Sequence, residues 1–369
     1  MIKTFHAKNY GCLVDVTAHL TPLHAFIGPN DSGKSTILNG LRTLVQVARE
    51  LFVVDASGKI LPFDSHLLRP TSAVTASPDA PSIRLACSVE GGAYEYESQV
   101  AGDREALSPD LGKDGPDDRW RRRDPQSSQG LLSSSPVTTP VRTALLAQLR
   151  AARLVRFDPD TLRSPSGLIP EAAGVVFHND RGRGLAGIYF AIRNRNDDAF
   201  ATIVADVRRH FPTIKNLRVK AVTSAEVALE AELTTGARVD ANRMSEGLLY
   251  YLAFAALRHI DPVSLLLVEE PENGLHPARI TEVMKILRAI VDETDTQVLL
   301  ATHSPLVVNE LCPEEVSVVT RDDTTGTKVT RIHETPDFAE RSKIYALGEL
   351  WIAYANGEDE APLLTGTEP

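Results

Sequence analysis

Eight residues, Gly28-Pro29-Asn30-Asp31-Ser32-Gly33-Lys34-Ser35, fit the spacing G-x-x-x-x-G-K-[ST]. The glycines permit a tight turn whose backbone N–H groups converge on one point, which favours an anion there. Lys34 adds a compact positive charge suited to β- and γ-phosphates, and the Ser35 hydroxyl is a ligand that Mg2+ accepts. The chemistry implied is the binding of a nucleoside triphosphate.

Three further groups extend that chemistry. Leu265-Leu266-Leu267-Val268-Glu269-Glu270-Pro271 is an apolar run that ends in two adjacent carboxylates. Inside a strand they would point to opposite faces, but at its C-terminal tip both can reach a nucleotide crevice. Glu269 is placed to hold Mg2+ through water, and Glu270 to polarise an attacking water as a general base. Ala301-Thr302-His303-Ser304-Pro305 ends another apolar run with a histidine able to hydrogen-bond a γ-phosphate or that water. Arg243-Met244-Ser245-Glu246-Gly247-Leu248 sets Ser245 and Gly247 at the start of an apolar helix, a ready anion site with a favoured cap. Each has a plainer reading by itself: solvated strand-end acids, a structural histidine, an ordinary N-cap. Beside a phosphate loop, and in this order, they read as machinery for hydrolysing the bound triphosphate.

Such residues need elements to hold them. Leu23 to Ile27 predicts a short buried strand leading into the loop. Ile37, Leu38, Leu41, Leu44, Val45 and Ala48 have helical spacing over Ser35 to Leu51. Val263 to Val268 predicts a strand buried on both faces, Met244 to Ile260 an apolar helix, Pro277 to Val291 a helix, and Gln297 to Ala301 a further strand. Strand, helix, strand with short connections is a parallel α/β pattern. Ile83 to Glu90 and Tyr94 to Val100, joined by Gly91-Gly92, predict a hairpin. Val141 to Arg153, Leu185 to Arg195 and Asp197 to His210 predict helices; Leu154 to Phe157, Leu217 to Ala221 and Glu226 to Leu233 predict strands. The order implies a nucleotide-binding core in two parts, 1–55 and 240–335, split by an inserted α+β lobe at 56–239. A mobile loop is expected near 102–139, where Asp, Gly, Pro, Ser and Arg dominate, and a tail follows at 336–369.

The chain has 369 residues and is 43% hydrophobic and 24% charged, which is ordinary globular material. No uncharged apolar stretch reaches the ~18 residues of a membrane-spanning helix. The N-terminus is strand-like, without a signal core, so a cytoplasmic setting is expected. Cys12, Cys87 and Cys312 lie far apart, an odd count without metal spacing, which fits a reducing compartment. A net charge of −10 is unlike a dedicated nucleic-acid coat protein. Arg119-Trp120-Arg121-Arg122-Arg123 and Arg208-Arg209-His210 are the candidate basic patches for DNA, with solvated surface charge as the alternative.

The four motifs in this order resemble the ATP-binding-cassette (ABC) ATPases of the repair and chromosome-structure type. In particular the chain resembles the stand-alone predicted ATPases of the AAA_21 group, related to overcoming-lysogenization-defect (OLD) and RecF/SMC-like proteins. Ile2-Lys3-Thr4-Phe5 with Lys8-Asn9-Tyr10-Gly11 is similar to that group's first strand and turn, and Ala25 to Thr36 to its phosphate loop. Glu269 to Pro277 is similar to its Walker B and D-loop run, Ala301 to Pro305 to its switch histidine, Arg243 to Gly247 to its signature motif, and Leu347 to Trp351 to its tail. The resemblance implies a P-loop NTPase of ABC/SMC-head type that hydrolyses ATP with Mg2+. It further implies two heads that sandwich two nucleotides. Lys34, Ser35, Thr36, Glu269, Glu270 and His303 then come from one head, and Ser245 and Gly247 from the other. ATP joins the homodimer and hydrolysis releases it. The gated partner would be DNA or a separate nuclease or effector, in DNA repair or antiviral defence.

Some positions depart from that pattern. Glu269 stands where Asp is usual, and the signature carries Glu246 and lacks the Gly-Gln of transporter cassettes. Gln99 and Gln148 are the candidates for a Q-loop glutamine, and no aromatic is assigned to adenine. The stretch after His303 is too short for the topoisomerase-primase nuclease domain of larger relatives, and 56–239 is too irregular for coiled-coil arms. Two other functions compete. The signature and the Glu269-Glu270 pair oppose a transporter subunit; Glu270 and His303 oppose a non-hydrolysing ATP-gated scaffold.

Overall fold

The computed structural model describes residues 1–49, 53–54, 60–61, 82–98, 104–108, 121–122, 140–322, 325–335 and 338–355. Along the chain the strands are β1 (Ile2–Tyr10), β2 (Leu13–His19), β3 (Leu23–Ile27), β4 (Val53–Val54), β5 (Ile60–Leu61), β6 (Ile83–Val89), β7 (Gly92–Ser98), β8 (Arg104–Ser108) and β9 (Arg121–Arg122). There follow β10 (Ala152–Val155), β11 (Ser166–Gly167), β12 (Ile214–Ala221), β13 (Glu226–Leu233), β14 (Arg238–Asp240), β15 (Leu265–Glu269), β16 (Gln297–Thr302), β17 (Val316–Asp322) and β18 (Gly326–Arg331). One sheet has the order β2-β1-β6-β7-β8-β9 and a second β10-β15-β16-β3-β17-β18. In a smaller one, β13 pairs with β11, β12 and β14. The chain divides into two compact units. The first comprises Met1–Arg153, Val263–Leu267 and Asp295–Pro369; the second comprises Leu154–Pro262 and Val268–Thr294.

The second sheet carries the motifs. β3 lies parallel to β16 and to β17, with Ile27 opposite Thr302 on one side and Val318 on the other. β18 returns antiparallel to β17. β3, β15 and β16 are buried at every position, which is why they are continuous apolar runs without alternation. Helix Lys34–Arg49 buries Ile37, Leu38, Leu41, Leu44 and Val45, the stripe its spacing predicts.

Several boundaries differ from the sequence reading for local reasons. The apolar run over Met244 to Ile260 is two pieces, an α-helix Glu246–Ala256 and a 3-10 turn Leu257–His259, and a separate 3-10 turn Ala241–Arg243 precedes it. Ser245 has extended backbone and caps the helix, its Oγ accepting from the Leu248 N–H at 3.4 Å. The helix expected to reach Arg153 stops at Gln148, and β10 starts at Ala152, two residues before the expected strand. Ser264 Oγ bonds both the N–H (3.2 Å) and the carbonyl (2.9 Å) of Ala151, which draws this segment to β15. Within 102–139, β8 and β9 are strands that extend the first sheet, and the remainder lies outside the described residues.

Near the start of β3, His24 is fully buried. Its Nδ1 lies 3.0 Å from Thr21 Oγ1 and its Nε2 2.9 Å from Ser317 Oγ. Burial, and secondarily the Arg331 charge, pushes its pKa down from 6.5 to about 3. The unfolded chain therefore binds more protons than the folded one between those values. Stability is full above the unfolded value and falls by up to about 1.4 kcal/mol per pH unit below it, until the folded value is passed. We expect His24→Gln to flatten the dependence of urea-unfolding free energy on pH between pH 7 and pH 5. An unchanged slope would count against this account.

Candidate functional site

In the first unit the chain leaves β3 at Ile27 and turns through 28–33 into helix Lys34–Arg49. Both glycines of the loop are imposed by space. A Cβ on Gly28 would overlap the Val319 carbonyl oxygen of β17 and lie 2.7 Å from Ser32 Oγ. On Gly33, with φ of 107°, it would lie 2.5 Å from Thr327 Oγ1 and 2.9 Å from Cys12 Sγ. Asp31 has φ of 62°, and its carbonyl accepts from Arg321 Nη1 at 3.3 Å. Thr327 Oγ1 donates to the Ser32 carbonyl at 2.9 Å. Lys34 Nζ donates to the carbonyls of Gly28 (2.8 Å) and Pro29 (2.7 Å), so its charge is stationed against its own loop.

Pro29, Asn30, Asp31 and Ser35 are exposed, while Thr36 is half-buried with its Oγ1 3.4 Å from Cys12 Sγ. The Ile37 N–H bonds the Gly33 carbonyl at 3.0 Å, and the N–H groups before it point out of the helix start. His303 is exposed one residue beyond Thr302, as Gly28 is one residue beyond Ile27. The phosphate loop and His303 thus leave neighbouring parallel strands at the same edge of the sheet, the edge where open α/β sheets bind ligands.

The second unit holds the acids. Glu269 ends β15, is 7% exposed, and its buried Oε1 has no hydrogen-bond partner. Its Oε2 is 3.7 Å from Arg156 Nη1. Glu270 has φ of 50°, a left-handed conformation that costs a non-glycine residue about 1–2 kcal/mol. A turn holds it there: Asn273 N–H bonds the Glu270 carbonyl at 3.0 Å, and Asn273 Nδ2 donates to Glu270 Oε2 at 2.8 Å. Arg156 Nη2 donates to the same oxygen at 3.3 Å. The turn closes at Gly274, with φ of 65°, where any Cβ would strike the Tyr250 ring of helix Glu246–Ala256. A Cβ on Gly247 would lie 3.5 Å from the Gly274 carbonyl, so the helix start and the acid turn are neighbours. Ser245 and Glu246 are exposed and Gly247 half-exposed.

The structure therefore groups Gly28 to Thr36 with His303 in one unit, and Glu269 and Glu270 with Ser245 and Gly247 in the other. Sequence reasoning missed Arg156, Asn273 as a support of Glu270, Arg321 and Thr327. A lone arginine in the strand-like run Leu154 to Phe157 was the available signal for the first. Gln148 accepts from the Met1 ammonium, and Gln99 lies outside the described residues. Of the basic patches, Arg119, Trp120 and Arg123 also lie outside them. Arg208 Nε donates to the Lys215 carbonyl at 2.5 Å, Arg209 pairs with Asp206 at 3.2 Å, and His210 Nε2 lies 3.4 Å from Glu282. That cluster serves the end of helix Asp197–His210.

Among the described residues no group of three or more His, Cys, Asp or Glu is placed to hold a metal ion. Mg2+ takes one or two carboxylates and several waters, and needs no protein cage. The orphaned, buried Glu269 Oε1 is an oxygen that fits a hard divalent cation. Among the described residues no helix is long and apolar enough to cross a membrane.

The family described as "AAA domain, putative AbiEii toxin, Type IV TA system" matches residues 23–309. An OLD nuclease of Thermus scotoductus is 46% identical over 41 residues, which are 11% of this chain and only 8% of the nuclease. The SMC head bound to the C-winged helix domain of ScpA is similar with a TM-score of 0.56 at 14% identity, covering 89% of this chain and 97% of that one. The Pyrococcus furiosus SMC head with an extended coiled coil, bound to the C-terminal domain of ScpA, gives 0.52 at 13%, covering 93% and 99%. The fold is that of an SMC-head, ABC-type P-loop ATPase.

The space at Gly28 yields a test. Gly28→Ala must push either the β17 backbone or the loop aside. We expect unfolding free energy to fall by about 1–3 kcal/mol and binding of a fluorescent ATP analogue to weaken at least ~10-fold. Unaltered stability together with unaltered binding would refute the close approach.

Proposed function

The chain belongs to the family described as "AAA domain, putative AbiEii toxin, Type IV TA system", and from that premise we propose that it binds and hydrolyses ATP, dimerises on it, and gates a partner with the cycle. The observation that carries this reading is the phosphate loop at the carboxyl end of β3, with Gly28 and Gly33 where no side chain fits and the Lys34 ammonium stationed against the loop. In this reading Gly28 to Thr36 cradle the phosphates through backbone N–H groups, and Lys34 neutralises charge on the β- and γ-phosphates. Ser35 and Glu269 would hold Mg2+, which supplies neutralisation of the transferring group. Glu270 orients and deprotonates the attacking water, and His303 hydrogen-bonds the γ-phosphate. These residues act by position and charge, which is most of what phosphoryl transfer asks of a protein.

Ser245 and Gly247 head an 11-residue helix and are solvent-accessible. A helix start open to solvent suits an anion brought by a second copy, and this supports assigning them to the opposite face of a dimer. The partner is proposed as DNA, a separate nuclease or an effector, in DNA repair or phage defence and in a cytoplasmic setting. The SMC heads above bind ScpA domains and the Thermus scotoductus protein is a nuclease, which supports such partners by analogy.

We expect Lys34→Ala to lose ATP binding and turnover together. Glu270→Gln should keep binding, lose turnover by about 10²-fold or more, and accumulate as a dimer with ATP in light scattering. Wild-type turnover in Lys34→Ala would sink the ATPase reading. Equal inertness of wild type and Glu270→Gln in single-turnover assays would leave a switch without hydrolysis.

A further inference from the structure

We infer that Arg156 is a positioning residue for both acids: its guanidinium orients Glu270 as a base and competes with the divalent cation for Glu269. The inference rests on the ATPase reading and deepens it. Arg156 follows β10 immediately, and β10 neighbours β15 in the sheet, so the arginine emerges beside the strand end that bears Glu269 and Glu270. All three side chains belong to the second unit. The backbone at Arg156 is anchored, its N–H bonding the Asp180 carbonyl at 2.8 Å and the Asp158 N–H bonding that of Arg181 at 3.1 Å.

The fork of the guanidinium is spread over the pair. Nη2 lies 3.3 Å from Glu270 Oε2 and Nη1 3.7 Å from Glu269 Oε2. A planar two-pronged cation can serve two carboxylates at once, which a lysine point charge does less well. Glu270 Oε2 receives Arg156 and Asn273, so Oε1 is the oxygen left to take a proton from water. Two adjacent carboxylates repel, and a single cation beside both relieves that repulsion. Arg156 is itself 59% exposed. Exposed ion pairs add little to stability, so the arrangement bears on the acids more than on the fold.

Two effects of opposite sign follow from removing it. Glu270 loses a donor that fixes its orientation, which slows turnover. Glu269 loses a competing positive charge, which tightens cation binding. Mere structural damage weakens both.

The test compares the full-length wild type, Arg156→Ala and Arg156→Lys. ATP turnover is measured against ATP concentration, and Mn2+ binding is followed by EPR with a non-hydrolysable ATP analogue present, independently of turnover. For Arg156→Ala we expect kcat to fall about 10- to 100-fold with KM within about threefold, and Mn2+ to bind severalfold tighter, at unchanged Tm. Arg156→Lys should bring Mn2+ affinity part of the way back to the wild-type value and restore part of kcat. The inference is overturned if kcat stays within about twofold, if Mn2+ binding is unchanged or weaker, or if Lys is no better than Ala on both measures. A wild type that binds but does not turn over ATP removes the ATPase reading, and the Mn2+ titration then decides for or against Arg156 alone.

Discussion

The close approach of β17 to Gly28 is the constraint on which the nucleotide loop depends. The Val319 carbonyl occupies the space a side chain at Gly28 would need, and Thr327 and Cys12 do the same at Gly33. Thr327 and Arg321 then hold the carbonyls of Ser32 and Asp31. The shape of the loop is thus a property of the assembled sheet, imposed by strands almost 300 residues away, since the bond from Thr327 to Ser32 spans 295 positions. Contacts at such separation carry a loop-closure cost, so the loop's native shape depends on β3 being paired with β16 and β17.

Charge is handled the same way in both units: Lys34 and Glu270, the proposed phosphate ligand and general base, are each stationed by neighbours of the opposite sign or dipole. Lys34 rests on carbonyl oxygens, and Glu270 on Arg156 and Asn273. The left-handed backbone at Glu270 is informative here. Among the described residues, Asn9 and Asp31 are the other non-glycine positions with positive φ, and both are types that tolerate it. Glutamate has no such preference, so its conformation is held by the Asn273 turn against a local cost. Strain of this kind, concentrated on a proposed general base, is an observation that points toward function.

What was legible in the sequence was what local chemistry decides. Leu185–Arg195 and Asp197–His210 are the helices the sequence predicts because Asn196 ends one and caps the next, its side chain accepting from Ala199 N–H at 2.9 Å. The phosphate loop and the acid pair were legible because their residue types are rare in that spacing. The contribution of β17 and β18 was not, since nothing in Val316 to Arg331 announces which loop it will touch. Arg156 was hidden for a related reason. A charged residue inside an apolar run looks like a solvent-facing strand position until the neighbouring strand is known to be β15.

The small sheet of the second unit bears on the kind of partner proposed. Along β12, β13 and β14 its cations are answered by acids: Glu232 by Lys215 (2.8 Å) and Arg218 (2.5 Å), Glu230 by Arg238 (3.8 Å) and Lys220 (4.0 Å), and Asp240 by Lys220 (3.9 Å). Such pairs contribute little to stability one by one. Their effect is to balance a surface that would otherwise be strongly basic. Binding to nucleic acid draws its affinity from cations available to phosphates and from the counterions they release. A surface on which each of these cations already has a carboxylate beside it gives up much of that gain. On a chain of net charge −10, this face carries paired, mixed charge and not a uniformly basic surface.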